Sequence, residues 1–154
     1  MNNTQDFCEK HCNELRECEA FYRENLFQDL IPFWQERIED PLYGGCFNYF
    51  DREGVLTSTD KPGWFIGRDL YFFSALCNTF GTRPDWMHLA DQCYHFLREH
   101  AMTENGRFNH MLDREGNVLR GPVSIHTDHF AVKGMIEYLA AQGKKATYEE
   151  TNFV

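Results

Sequence analysis

Arg68 is the residue whose placement asks for an explanation. It lies in the run Lys61-Pro62-Gly63-Trp64-Phe65-Ile66-Gly67-Arg68-Asp69, where a fixed cation enters an otherwise apolar stretch. Asp60 reads as a helix N-cap with Pro62 in the first turn, where its missing N–H does no harm. Arg68 then sits near the positive end of a helix dipole, a costly position unless something anionic or polar meets it. The plain alternative is a salt bridge to a neighbouring carboxylate. A second group, His126-Thr127-Asp128-His129, lies early in another helical run. Histidine transfers protons only with a suitable pKa and reach to the substrate proton. Asp69 and Asp128 would be the carboxyl pair if the chemistry were glycosidic cleavage.

Composition narrows the partners. The chain has 154 residues and 14 Phe, enough for one domain with a packed core rather than a disordered segment. A net charge of -9 disfavours nucleic acid and anionic membranes. No apolar run approaches the roughly 18 residues of a membrane span, and Met1–Lys10 has no apolar signal region, so a cytoplasmic address is expected. The six cysteines (8, 12, 18, 46, 77 and 93) are then expected to be reduced, with Cys77 and Cys93 as core filler. Cys8, His11 and Cys12 invite a metal reading, but no second ligand pair follows at zinc-like spacing, and neither metal nor cofactor is expected.

The elements that must position these residues read mainly as helices. Residues 1–13 look like a polar tail, and residues 14–154 form one helical domain. Leu15, Cys18, Tyr22, Leu26, Leu30, Trp34 and Ile38 recur at helical steps, with Pro32 expected to kink or split that helix. Cys46–Phe50 and Val55–Thr57 read as a hairpin around Gly54. A helix over 61–80, apolar nearly all round and closed by Gly81, should be buried. A one-sided helix follows over 84–102, then a second hairpin around Asp113–Gly116. Ser124 caps a helix over 125–142 that Gly143 ends. Lys144–Tyr148 looks like the loop towards a fifth helix.

Two units are visible in this order. Phe47-Asn48 with Asp51-Arg52-Glu53-Gly54 recurs as Phe108-Asn109 with Asp113-Arg114-Glu115-Gly116, about 62 residues on. Each unit joins an outer helix, a hairpin and a more apolar inner helix, the pattern of stacked helical pairs in an array or toroid. The inner-helix N-termini therefore gather on the hairpin side, where anions and developing negative charge are favoured.

Pro32-Phe33-Trp34, Tyr43-Gly44-Gly45-Cys46-Phe47, Lys61-x-x-Trp64-x-x-Gly67-Arg68, the Asp-Arg-Glu-Gly turn and Ser124–Phe130 together resemble the N-acylglucosamine 2-epimerase family. That family includes cellobiose 2-epimerases and mannose-type aldose–ketose isomerases. The resemblance implies a mainly α fold, an incomplete (α/α)6 toroid of helical pairs with β-hairpin insertions. It implies an isomerase that removes a proton beside a sugar carbonyl through an enediolate. Arg68 matches the family arginine that contacts the sugar near the reacting carbons, a permanently charged donor suited to an enediolate oxygen. Trp64 matches the motif tryptophan, as a stacking face or as packing. His126 and Asp128 fall at substrate-side positions, though Asp128 in a first helical turn equally serves the dipole. The family's acid and base histidines lie on later helical pairs, beyond Val154. His88, His95, His100 and His110 are expected at the surface.

Two other readings stay open. One is a toroid glycoside hydrolase of the unsaturated glucuronyl hydrolase kind, using Asp69 and Asp128. The other is a non-catalytic fragment that binds carbohydrate through the hairpin face. Inner-helix faces left uncovered would favour self-association.

Overall fold

The helical steps of the first segment are realised from its beginning. In this computed structural model, which describes residues 2–147 and their side chains from His11 onward, α1 spans Asn2–Asn25. The stretch expected as a tail is thus continuous with the helix. A π-helical turn at Leu26–Leu30 leads into α2 (Ile31–Gln35). Pro32 has no N–H to give to a preceding carbonyl, and the helix is interrupted just before it, as its ring requires. Cys8 and Tyr148, named in the metal and final-loop expectations, have side chains outside those described. His11 Nδ1 lies 2.9 Å from Glu14 Oε2. The chain divides into two compact units, Met1–Glu36 and Arg37–Val154. Arg68 and the groups around it belong to the second.

The second unit is built from two hairpins and three longer helices. β1 (Tyr49–Phe50) pairs antiparallel with β2 (Leu56–Ser58). β3 (Lys61–Pro62), β4 (Met111–Leu112) and β5 (Val118–Arg120) form an antiparallel sheet in that order. α3 spans Gly63–Phe80 and α4 spans Pro84–Phe96, extended by a π-helical turn at Leu97–Ala101. α5 spans Ile125–Ala141. Ser124 caps it by accepting the His126 N–H. The two turns are near copies. Asp51 Oδ1 accepts from the backbone of Glu53 at 3.0 Å and Val55 at 2.8 Å. Asp113 Oδ1 does the same for Glu115 at 3.0 Å and Asn117 at 2.8 Å. Gly54 (φ 79°) and Gly116 (φ 93°) supply the left-handed residue each turn needs.

Three expectations need correction. Asp60 does not cap α3: Lys61-Pro62 is extended and pairs with β4, so the helix begins at Gly63 with Pro62 itself at the N-cap position. Pairing won because the Gly63 N–H reaches the carbonyl of His110 at 3.1 Å, continuing the sheet into the helix. Nor is α3 buried all round. Ile66, Gly67, Leu70, Phe73, Leu76 and Cys77 are buried, whereas Trp64, Phe65, Tyr71 and Phe72 are half-buried and Arg68 is exposed. The helical part of the 84–102 segment also changes to a π turn before its end.

Lys61 is wholly buried and anchors the hairpins to each other. Its Nζ donates to Asp40 Oδ2 at 2.9 Å, to the Gly44 carbonyl at 2.6 Å and to the Arg114 carbonyl at 2.9 Å. Three acceptors require the ammonium form, since a neutral amine has two N–H bonds. Arg114 closes the triad with two bonds to Asp40, at 2.9 and 3.0 Å. Burial pushes the Asp40 carboxyl up, but hydrogen bonds from Arg114, Lys61 and the Leu42 N–H outweigh it and hold it well below the usual carboxylate range. Burial pulls Lys61 below its ordinary value, with Asp40 opposing.

α3 lies chiefly against α5 and then against α4. The crossing of α3 and α5 needs glycine: a Cβ on Gly67 would stand 2.6 Å from the backbone N of Ala131 and 2.7 Å from the Phe130 carbonyl oxygen. Backbone cannot yield as a flexible side chain can. Gly67→Ala should therefore lower stability by about 1–3 kcal/mol. Urea unfolding measures this, and an unchanged midpoint would mean that the helices part freely.

Candidate active site

Anchoring Lys61 fixes where the first turns of α3 point. Trp64 stacks on Phe65 with ring centroids 3.8 Å apart, and the Arg68 guanidinium lies over Trp64 at 5.7 Å and Phe65 at 6.0 Å. α5 completes the cluster. Phe130 faces Arg68 at 5.5 Å, and the exposed His126 ring lies 5.5 Å from Trp64 and 4.8 Å from Phe130. Among the described residues no carboxylate forms a salt bridge with Arg68. The plain alternative of an ion-paired arginine is therefore not what the fold provides. The guanidinium carbon is within cation–π range of three rings while the side chain stays exposed, so its five N–H donors can be offered to a ligand. An exposed, permanently charged donor framed by aromatic faces suits a polyhydroxylated ligand that gains negative charge.

Of the four residues singled out by sequence, three meet here: Arg68, Trp64 and His126. Asp128 does not. Its side chain is 1% exposed, with Oδ2 bonded to Arg107 Nε at 2.6 Å and Oδ1 accepting the Phe108 N–H at 2.8 Å. Each oxygen carries one bond that ties α5 to the segment just before β4, so Asp128 anchors the fold and lies apart from the Arg68 cluster. Trp64 serves both as packing and as an open, half-buried face. His129 is exposed beside Phe130, with ring centroids 5.3 Å apart. His88 and His95 are exposed as expected, whereas His100 and His110 are half-buried. His110 Nδ1 lies 3.2 Å from Thr127 Oγ1.

Residues that sequence reasoning passed over complete the site. Phe130 had appeared only as the last residue of the Ser124–Phe130 segment. Asn48 donates its Nδ2 to Asp69 Oδ2 at 2.9 Å, holding the carboxyl next to Arg68 against the first hairpin. The recurrence of Asn48 as Asn109 was the available signal. Burial pushes Asp69 up to about 7, while the Asn48 hydrogen bond and the Arg68 charge pull the other way. With Asp128 locked to Arg107, Asp69 has lost its proposed partner, and the two-carboxylate hydrolase reading loses its geometric basis.

The N-acylglucosamine 2-epimerase (GlcNAc 2-epimerase) family model matches residues 45–151. A cellobiose 2-epimerase of Bacteroides fragilis is 26% identical over 123 residues, covering 79% of this chain and 31% of that protein. The crystal structure of a sugar epimerase from a ruminal bacterium superposes with a TM-score of 0.74 at 26% identity, over 80% of this chain and 32% of that one. The cellobiose 2-epimerase of Spirochaeta thermophila superposes with a TM-score of 0.74 at 22% identity, over 90% of this chain and 34% of that one, a likeness of fold. The chain thus spans about a third of the length of the relatives it matches.

Asp69 gives the site a pH signature. Its folded-state value, about 7, lies above the ordinary 3.8, so between these values the folded chain holds the proton more tightly than the unfolded one. Its contribution favours folding below that window and fades as pH rises through it. Urea unfolding across the window should show this decline in the natural chain and a flatter profile in Asp69→Asn. Removing the Asn48 donor, as in Asn48→Ala, should move the Asp69 carboxyl titration upward. A carbon-detected NMR titration reads both shifts, and an Asp69 midpoint near 4 would contradict the buried environment.

Proposed function

The chain belongs to the N-acylglucosamine 2-epimerase family, and we propose that it forms the Arg68 side of a sugar 2-epimerase or aldose–ketose isomerase site. The observation that carries this reading is the exposed guanidinium of Arg68, held by the faces of Trp64, Phe65 and Phe130 with His126 beside them. Removing a proton from the carbon beside a sugar carbonyl places negative charge on two oxygens. A donor already fixed before the charge develops stabilises the enediolate without reorganising. Trp64 offers the sugar an apolar face, and His126 a polar contact at the α5 N-terminus.

The acid and base are placed on helical pairs other than these. In this reading their assembly is an (α/α)6 toroid with α3 and α5 as inner helices, and the chain, which spans about a third of the relatives' length, would supply about two of six hairpins. A groove in which Tyr71, Ile125, Val132 and Ile136 lie beside His129, Lys133 and Glu137 supports this arrangement, because a further helical pair packed there would cover Ile125, which is 74% exposed.

Titration of the chain with N-acetylglucosamine, mannose or cellobiose tests the site. We expect at least one of these sugars to perturb the Arg68 Nε–H and Trp64 indole resonances, and Arg68→Ala to abolish the response. No perturbation at either residue by any of the three contradicts the reading. In a form that turns over, Arg68→Ala should lower kcat by about 100- to 1000-fold. Turnover by residues 1–154 alone would overturn the placement of acid and base elsewhere.

A further inference from the structure

Two thiols lie behind the site and take no part in the proposed reaction. Cys46 sits in the loop leading to the first hairpin, and Cys93 lies on α4. Their Sγ atoms are 3.2 Å apart, although 47 positions separate them in sequence, and both side chains are fully buried. One oxygen of Asp69 lies within 4.8 Å of both sulfurs. We propose that Cys46 and Cys93 are a reversible dithiol–disulfide pair, a redox modification site that joins the loop before the first hairpin to α4.

The geometry supplies the resolving step, with the two sulfurs already in contact. A hydroperoxide transfers oxygen to one sulfur, giving a sulfenic acid and releasing water or an alcohol. The second thiol attacks that sulfur as its S–O bond breaks. Asp69 takes the proton of the attacking thiol, and the departing hydroxide leaves as water on receiving it. The two thiols lose two electrons and the hydroperoxide gains them. A small dithiol reverses the change by thiol–disulfide exchange. Burial raises both thiols above their ordinary value, which disfavours the thiolates that a bound metal demands and also makes the first oxidation slow. A disulfide is neutral, so the same burial does not oppose it.

The cross-link would close a loop carrying β1, β2, β3 and the whole of α3, including Arg68. Closing so long a loop restricts the unfolded chain and should raise the urea midpoint by about 1–2 M.

The test is treatment of the full chain with hydrogen peroxide, then alkylation in denaturant and proteolysis without reduction. Mass spectrometry should find the Cys46 and Cys93 peptides joined, with buried Cys77 alkylated as the internal control. The urea midpoint should rise on oxidation, return with dithiothreitol, and stay unmoved by peroxide in Cys93→Ala. Alkylation of both Cys46 and Cys93 after peroxide overturns the proposal. So does a bridge from either to another cysteine, or a purified chain whose two thiols are masked by a bound metal ion.

Discussion

Everything that surrounds Arg68 depends on burying one lysine. Lys61 is enclosed with Asp40, and Arg114 reaches in from the second hairpin turn to share the same carboxylate. Removing such ions from water costs several kcal/mol each, and only near-complete hydrogen bonding repays it. Here the lysine fills three acceptors and the carboxylate takes donors from Lys61, Arg114 and the Leu42 N–H. A cluster this demanding tolerates few arrangements of its parts. It therefore fixes the loop after α2, the strand before α3 and the second turn relative to one another.

The consequence for chemistry is direct. α3 starts two residues after Lys61, so clamping that residue sets the rotation of the helix and with it the direction of Trp64 and Arg68. The close crossing at Gly67 then brings Phe130 and His126 of α5 against them. Charge is divided between two kinds of place. Lys61, Asp40 and Asp128 are buried and paired, while Arg68 is exposed, lies over three rings and forms no salt bridge among the described residues. That division explains how one apolar helix carries a cation in its second turn: the cost of desolvating Arg68 is never incurred, because the mouth stays open to water or sugar.

Local rules made much of the fold legible in the sequence. Gly54 and Gly116 mark turns that need a left-handed residue, Ser124 caps α5, and Gly81 and Gly143 end helices, each within a few residues of its cause. The motif around Arg68 and the repeated Asp-Arg-Glu-Gly turn carried the family. What stayed hidden was pairing between distant positions. Asp40 belongs to no motif of the sequence and Arg114 reads as a copy of the exposed Arg52, until they meet across 74 positions. Cys93 reads as core filler and Cys46 as a hairpin residue for the same reason. The Arg107 partner of Asp128 was hidden because a polar residue in a first helical turn has the same appearance whether it faces a ligand or an arginine. The Asp60 cap failed because a strand pairing outside its local sequence took Lys61 and Pro62 first.

The claim that the buried triad holds this frame is tested most directly by a mutant cycle on Asp40 and Lys61, read by urea unfolding. Asp40→Ala alone should cost about 3–5 kcal/mol, because it leaves Lys61 charged and buried without its counter-ion. The double replacement Asp40→Leu with Lys61→Met should recover most of that loss, since neither charge then remains to be desolvated. A cost below about 1 kcal/mol for Asp40→Ala would show that the frame around Arg68 stands without the triad, and would contradict the account.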